Sequence, residues 1–232
     1  SAPGRTPAPG RSQLVLDMGR KDVVDYLYGI FSALLRDNDI SYIKWDMNRN
    51  ITDLFSRVLP AARQGEAAHR YMLGLYDLLD RLTREFPDVL FEGCSGGGRF
   101  DAGMLQYFPQ IWCSDDTDPI HRLKIQYGTS FGYPPCTMGS HVSASPNHQS
   151  GRHTPLSTRA VVAMAGVFGY ELDLGLLSDE EKAQIHTQIQ TCRDLQPLLI
   201  DGRYDRLTDA MTDSYFTAWQ FTAPDQSRAA VS

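Results

Sequence analysis

The sequence predicts an α/β fold in which a parallel sheet is covered by helices. Three observations carry that prediction. Short apolar runs alternate with longer segments whose apolar residues recur at helical spacing. The short runs are mostly apolar throughout, as strands buried on both faces are. Polar residues gather where those runs end, at Asp17, Asp46, Glu92 with Cys94, and Asp115 with Asp116.

The elements follow in order. Residues 1–12 are rich in Pro, Gly and Arg and read as a loop. Residues 13–18 are a short apolar run, expected as a strand. Residues 20–36 form an amphipathic helix with Val23, Val24, Leu27, Ile30, Phe31, Leu34 and Leu35 at helical spacing. Residues 40–47 are the next strand. Residues 65–86 are a long helix carrying Tyr71, Leu75, Leu78, Leu79 and Leu82 on one face. Pro87 ends it, because proline lacks the N–H the helix needs. Residues 89–92 are a strand, 96–98 a glycine loop, 102–107 a short helix and 111–114 a strand. Residues 119–130 read as helix. Residues 133–154, with several prolines and three histidines, read as irregular. A helix over 157–164, a strand over 167–172 and a helix over 178–197 complete the series. The last helix opens on a capping box, Ser178 with Glu181 three positions on.

Polar residues at the carboxyl ends of several strands are the pattern of a TIM-barrel active face. A doubly wound sheet would want a glycine-rich turn after its first strand, and residues 17–20 lack one. A barrel takes eight strand–helix repeats, and the sequence supplies about five. The expectation is therefore the later, C-terminal part of a (β/α)8 TIM barrel over residues 1–200. Residues 203–207 and 215–221 read as β-strands, so residues 201–232 are expected to start a C-terminal β domain.

Composition narrows the class. The chain has 232 residues, 42% hydrophobic and 22% charged, with a net charge of −6. That is globular composition with length for a sizeable core. The absence of a Lys/Arg cluster argues against nucleic acid or an anionic membrane as partner. No apolar run is long enough to span a bilayer, and no charged-then-apolar signal opens the chain. Cys94, Cys113, Cys136 and Cys192 are far apart and form no paired CxxC motif. A reducing cytoplasm is the expected location.

The stretch 42–50 carries the first candidate chemistry. On a strand, positions two apart face the same way, so Lys44, Asp46 and Asn48 share a face. An ammonium beside a carboxylate favours its charged form. A fixed, ionised carboxylate suits a nucleophile or an electrostatic stabiliser; a structural ion pair at a strand end is the competing reading.

Residues 112–118 carry the second. They place Asp115, Asp116 and Asp118 within four positions. If the strand runs through Asp116, Trp112, Ser114 and Asp116 share one face and Asp115 takes the other. Neighbouring carboxylates do not all ionise freely, and a carboxyl that keeps its proton near neutral pH is a general acid. Two carboxylates in contrasting environments suggest glycoside hydrolysis. Asp118 reads better as the N-cap of the following helix. A hard-cation site would want alternating oxygen ligands, which this spacing lacks.

Other features are weaker. Gly96, Gly97 and Gly98 lack a following Gly-Lys-Ser/Thr, so they read as a turn allowing close backbone approach rather than a phosphate loop. His141, His148 and His153 fit no zinc spacing, though one of them could serve Cys94 as a base. Trp45 reads as core; Trp112 is the better pocket residue.

These segments together resemble family 36 of the glycoside hydrolases, the α-galactosidases. The resemblance rests on RSQLVLD at 11–17, YIKWDMNR at 42–49, CSGGGRFD at 94–101, WCSDDTD at 112–118, RLKIQYGTS at 122–130, MGSHVS at 138–143 and PNHQ at 146–149. It covers nearly the whole chain, in order. It implies a retaining hydrolase that releases terminal α-linked galactose from oligosaccharides such as raffinose or melibiose, with no metal or cofactor. Asp46 matches the nucleophile and Asp116 the acid/base, with Asp115 beside it as the fallback. Lys44, Asn48 and Arg11 match sugar ligands, and Cys94 with Gly96 the wall near the substrate. The same chemistry with a roomier wall would serve α-N-acetylgalactosamine, and a catalytically inactive carbohydrate-binding fragment is the non-enzymatic alternative. Full members carry an N-terminal β-sandwich, a complete barrel and a C-terminal β domain, and usually form oligomers, often tetramers. The resemblance implies that the sandwich and the first barrel strands, with further galactose ligands, lie outside this chain.

Overall fold

The computed structural model describes residues 2–95, 102–212 and 215–232. They form two compact units, one of residues 2–95 with 102–109, the other of residues 110–212 with 215–232.

In the first unit, strand β1 (Tyr42–Asp46) pairs in parallel with β2 (Leu90–Cys94), Tyr42 opposite Leu90 and Asp46 opposite Cys94. Helices α1 (Lys21–Asp37) and α2 (Ala67–Glu85) pack together. They bury Val24 and Leu35 of α1 and Leu75, Leu78, Leu79 and Leu82 of α2, the stripes that the apolar spacing marks. A Cβ on Gly74 would stand 1.8 Å from the carbonyl oxygen of Met18. The bare glycine is what lets α2 lie against that backbone. The expected start of α2 at residue 65 belongs to a 3-10 turn, Ala61–Glu66. The short helix expected over 102–107 is one 3-10 turn, Met104–Gln106.

Residues 13–18 do not form the expected strand. Gly10 and Gln13 exchange backbone hydrogen bonds of 3.1 and 3.0 Å around Arg11 and Ser12. These two residues have φ of 52° and 60°, the left-handed pair of a type I′ turn. Beyond the turn, Leu14 and Leu16 are exposed, and no ladder is recorded for the run among the described residues. Apolar composition alone does not make a strand where no neighbour meets its N–H and C=O groups.

In the second unit, β3 (Gln110–Ile111) is shorter than the expected 111–114, and Ile111 bridges in parallel to Met138. Then come α3 (Pro119–Thr129), β4 (Gly139–Ser143), α4 (Leu156–Ala163), β5 (Val167–Glu171) and α5 (Asp179–Asp201). Strand β4 lies in the segment expected to be irregular. It pairs in parallel with β5, Gly139 opposite Val167. Its residues are buried glycine, serine and valine, so neither alternation nor β-branching announces it. Val142 of β4, Leu156, Ala160 and Ala163 of α4 and Ile185 of α5 form one core.

The capping box opens α5: Glu181 N–H donates to Ser178 Oγ at 3.2 Å, and Ser178 N–H to Glu181 Oε2 at 3.0 Å. The helix continues past Pro197 to Asp201, because Leu198 is buried against Trp219 and Phe221. Those two belong to an antiparallel sheet of β6 (Arg203–Arg206), β7 (Trp219–Thr222) and β8 (Ala229–Val231). The strand expected over 215–221 thus begins later, and β8 adds to it. The order of parallel strands and helices is that of an α/β protein, as expected. Among the described residues, no helix is long and apolar enough to cross a membrane.

Candidate active site

The first unit carries Asp46 at the end of β1. Register partners on parallel strands project from the same face, so Lys44 and Asp46 of β1 share a face with Glu92 and Cys94 of β2. The main chain seals this end, with Met47 N–H donating to the Cys94 carbonyl at 2.8 Å. Asp46 Oδ2 accepts a hydrogen bond from Asn48 Nδ2. Lys44 Nζ lies 3.6 Å from Glu92 Oε1, so the ammonium expected to serve Asp46 also faces a second carboxylate. Glu92 is fully buried, and Tyr42 donates its hydroxyl to Glu92 Oε2 at 2.7 Å. Burial and the adjacent Glu92 push the Tyr42 hydroxyl well above the usual tyrosine range. Sequence reasoning put Glu92 at a strand end without giving it a partner. The signal lies in the register that sets Lys44 across from it.

Beside Asp46 opens a cavity of about 400 Å³, lined by Leu14, Leu16, Lys44, Trp45, Asp46 and Arg49 among others. Trp45 packs on Phe31 at 4.9 Å between ring centroids but is only half-buried and lines this cavity, so it is not the core residue expected; Trp112, expected to line a pocket, is the buried one. Arg11 stands in the left-handed turn. Arg49 holds that turn from the other side: Nε donates to the Gln13 carbonyl at 3.1 Å, and Nη2 donates to the Ala8 carbonyl and to Thr52 Oγ1. Gly96 and its two neighbouring glycines lie outside the described residues.

The second unit carries the aspartate run in a bend after β3. The strand ends at Ile111, so the expected sharing of faces fails: Trp112 meets Asp115 rather than Asp116. Its Nε1–H donates to Asp115 Oδ1 at 2.9 Å. The Trp112 ring also stacks on His141 at 5.0 Å. Asp116 Oδ1 accepts from the Asp118 N–H at 3.0 Å, and Asp116 Oδ2 lies 2.8 Å from His121 Nδ1. Asp115 and Asp116 therefore each have a partner of their own.

Asp118 caps α3, as expected, accepting from the N–H groups of Ile120 at 2.8 Å and His121 at 3.3 Å. It is fully buried. Burial alone would raise its pKa, but Ser150, Arg152 and the two backbone donors outweigh it and hold the carboxyl at about 2. The segment after β4 secures the run further. Gln149 Nε2 donates to the Asp115 carbonyl and Gln149 Oε1 accepts from the Thr117 N–H, both at 3.0 Å. Ser143 Oγ donates to the Thr117 carbonyl at 2.8 Å. Sequence reasoning missed His121 and Gln149. His121 is third in α3 after its cap, a position whose side chain reaches back over the helix start. Gln149 is distant in sequence and gave no local signal.

Among the described residues, no group of three or more His, Cys, Asp or Glu could hold a metal ion.

The family model described as Melibiase matches residues 1–202. The chain belongs to the melibiase family. Members of known activity resemble it in both units. Alpha-galactosidase 1 of Pediococcus pentosaceus is 51% identical over 230 residues, which are 99% of this chain and 31% of that protein. Alpha-galactosidase AgaA of Geobacillus stearothermophilus is also 51% identical over 230 residues, with the same shares. A crystal structure of a variant of that family 36 enzyme in complex with raffinose superposes with a TM-score of 0.96 at 51% identity, covering 99% of this chain and 32% of that one. The melibiase-family chain thus spans under a third of the length of these relatives. The resemblance to family 36 drawn from its motifs is borne out, and the likeness is to TIM-barrel-type enzymes.

Proposed function

We propose that this melibiase-family chain carries the reacting carboxylates of an α-galactosidase, which releases terminal α-linked galactose from oligosaccharides with retention of configuration. The observation that carries the reading is 51% identity over 99% of the chain to an α-galactosidase that was crystallised with raffinose.

Asp46 is the nucleophile. Its carboxylate attacks the anomeric carbon while the glycosidic C–O bond breaks, and the proton of Asp116 goes to the departing oxygen. Water then attacks the glycosyl ester, returns a proton to Asp116 and frees Asp46. A retaining pair acts with its carboxyl groups about 5–5.5 Å apart across the sugar. Lys44, Asn48 and Arg11 bind hydroxyls, Cys94 and Gly96 form the wall beside the ring, and Trp112 with Asp115 lines the acid/base side. Asn48 gives support: its Oδ1 is shielded from solvent and accepts no hydrogen bond among the described residues. It is an acceptor with unused capacity, which this reading assigns to a sugar hydroxyl.

In this reading residues 1–200 are the later part of a (β/α)8 barrel and residues 201–232 open a C-terminal β domain. The whole enzyme acts in the cytoplasm as a homo-oligomer, a tetramer.

The test uses the chain and a chimera in which it replaces the matching third of AgaA. The chimera should hydrolyse nitrophenyl α-galactoside and raffinose, and Asp46→Ala should abolish both. A chimera that folds and binds galactose without turnover would support a carbohydrate-binding role instead. Preference for the N-acetylgalactosaminide would move the specificity.

A further inference from the structure

We infer that His121 is a positioning residue for the acid/base, holding the Asp116 carboxyl in one orientation and stabilising it when it has given up its proton. The inference rests on the assignment of Asp116 proposed above.

A general acid must present one oxygen to the glycosidic bond and, in the second half-reaction, take a proton back along the same path. A carboxyl free to turn about its last torsion does this poorly. Asp116 is held on three sides. Its own N–H donates to Ser114 Oγ at 3.1 Å, its Oδ1 accepts from the Asp118 N–H at 3.0 Å, and its Oδ2 meets His121 Nδ1 at 2.8 Å. Only the last contact is made by a side chain outside the run 114–118. It comes from a fixed platform, since α3 begins on Asp118, which Arg152 Nε clasps at 2.9 Å. The neighbouring acids are already engaged, Asp115 by Trp112 and Asp118 by Arg152 and Ser150.

The direction of this hydrogen bond fixes when it acts. Once Asp116 has given up its proton its carboxylate only accepts, so in that state His121 donates from Nδ1. The bond strengthens as Asp116 becomes charged, which happens as the proton moves to the leaving oxygen. It is therefore worth more in the transition state than before it, which is the condition for raising kcat. The benefit depends on how much protonation the leaving group needs. The sugar alkoxide leaving raffinose needs it fully, and nitrophenolate hardly at all.

The experiment measures kcat and KM on raffinose and on nitrophenyl α-galactoside for His121→Ala, His121→Phe and His121→Asn in the AgaA chimera. Ala and Phe should lower kcat on raffinose by about 10- to 100-fold, a part of the roughly 10²–10⁴-fold that general acid catalysis contributes, with KM nearly unchanged. On the nitrophenyl substrate both should stay within about threefold. Phe keeps a ring without Nδ1, so a packing role would make it differ from Ala. Asn can place Nδ2 where Nδ1 stands and should restore most of the raffinose rate. Equal losses on both substrates, no loss, or no rescue by Asn would overturn the role of His121. Asp116→Ala in the same chimera keeps the two ideas apart. If it still cleaves raffinose, the acid/base assignment itself is wrong; if it does not while His121→Ala is normal, only the positioning role falls.

Discussion

Trp112 donates its indole N–H to Asp115 Oδ1 at 2.9 Å, and this bond sorts the two adjacent aspartates. Asp115 is engaged by that bond although it is exposed, while Asp116, half-buried, meets His121 Nδ1 at 2.8 Å.

The first prediction follows from the sorting. Asp116→Asn should lower kcat/KM on raffinose by about 10²–10⁴-fold, the usual worth of a general acid. Asp115→Asn keeps an oxygen for the indole N–H and should cost less than about tenfold. Steady-state kinetics of the two variants in the AgaA chimera decide it, and a reversed order would pass the role to Asp115.

The Tyr42–Glu92–Lys44 group gives a second prediction. Glu92 is fully buried while Lys44 is 40% exposed at its side chain, so the cost lies in stripping a buried polar contact of one of its members. Glu92→Ala should lower stability by about 1–3 kcal/mol. Tyr42→Phe, which leaves Glu92 Oε2 without its 2.7 Å donor, should lower it by about 1–3 kcal/mol. Urea unfolding measures both; an unchanged midpoint for Tyr42→Phe would mean that the hydroxyl does not support Glu92.

How much of this the sequence carried depends on the range of the interaction. The helices α1 and α2 were legible because their apolar stripes are local and periodic. The cap of α3 by Asp118 and the box at Ser178 were legible for the same reason, since each closes within three residues. Lys44 and Asp46 were legible as polar residues on a short strand, while Asn48 lies two residues past its end and joins them through its hydrogen bond to Asp46. Residues 13–18 misled because apolar content is shared by strands and by extended chain that lacks a ladder. Strand β4 was hidden because its buried positions are glycine and serine, fitted by their neighbours rather than by propensity. Glu92, Gln149 and Arg49 gained their roles from residues 34 to 50 positions away, and no local pattern records such pairings. The pairing of Trp112 with Asp115 depended on where a strand stopped, and strand ends are set by the neighbouring strand.

A third prediction concerns acid stability. The Asp118 carboxyl lies at about 2 in the folded chain against an ordinary 3.8. As pH falls, the unfolded chain takes up this proton first, so the unfolded state binds more protons between those values. The contribution is complete above about pH 4 and is lost as pH falls toward 2. The gap is worth about 2 kcal/mol at neutral pH. Asp118→Asn keeps a cap acceptor but no charge. It should be less stable by about that amount at pH 7, and the difference should close as pH approaches 2. Urea midpoints of both proteins across that interval test it, and a difference that stays constant would assign the loss to geometry rather than charge.

The last prediction concerns the left-handed turn at Arg11 and Ser12. Outside glycine this conformation costs about 1–3 kcal/mol per residue, so something must hold it. Arg49 does so, tying the carbonyls of Ala8 and Gln13 to its own loop through Thr52 Oγ1 and the Asn50 carbonyl. Arg49→Ala should release the turn and let Arg11 leave the sugar. Arg11 would bind hydroxyls away from the breaking bond, so its loss weakens substrate and transition state alike and raises KM at nearly constant kcat. About a tenfold rise is expected for Arg49→Ala and for Arg11→Ala, the worth of one good hydrogen bond. Because the first acts through the second, the double variant should be no worse than either alone. Additive losses would show that Arg49 reaches the substrate by another route.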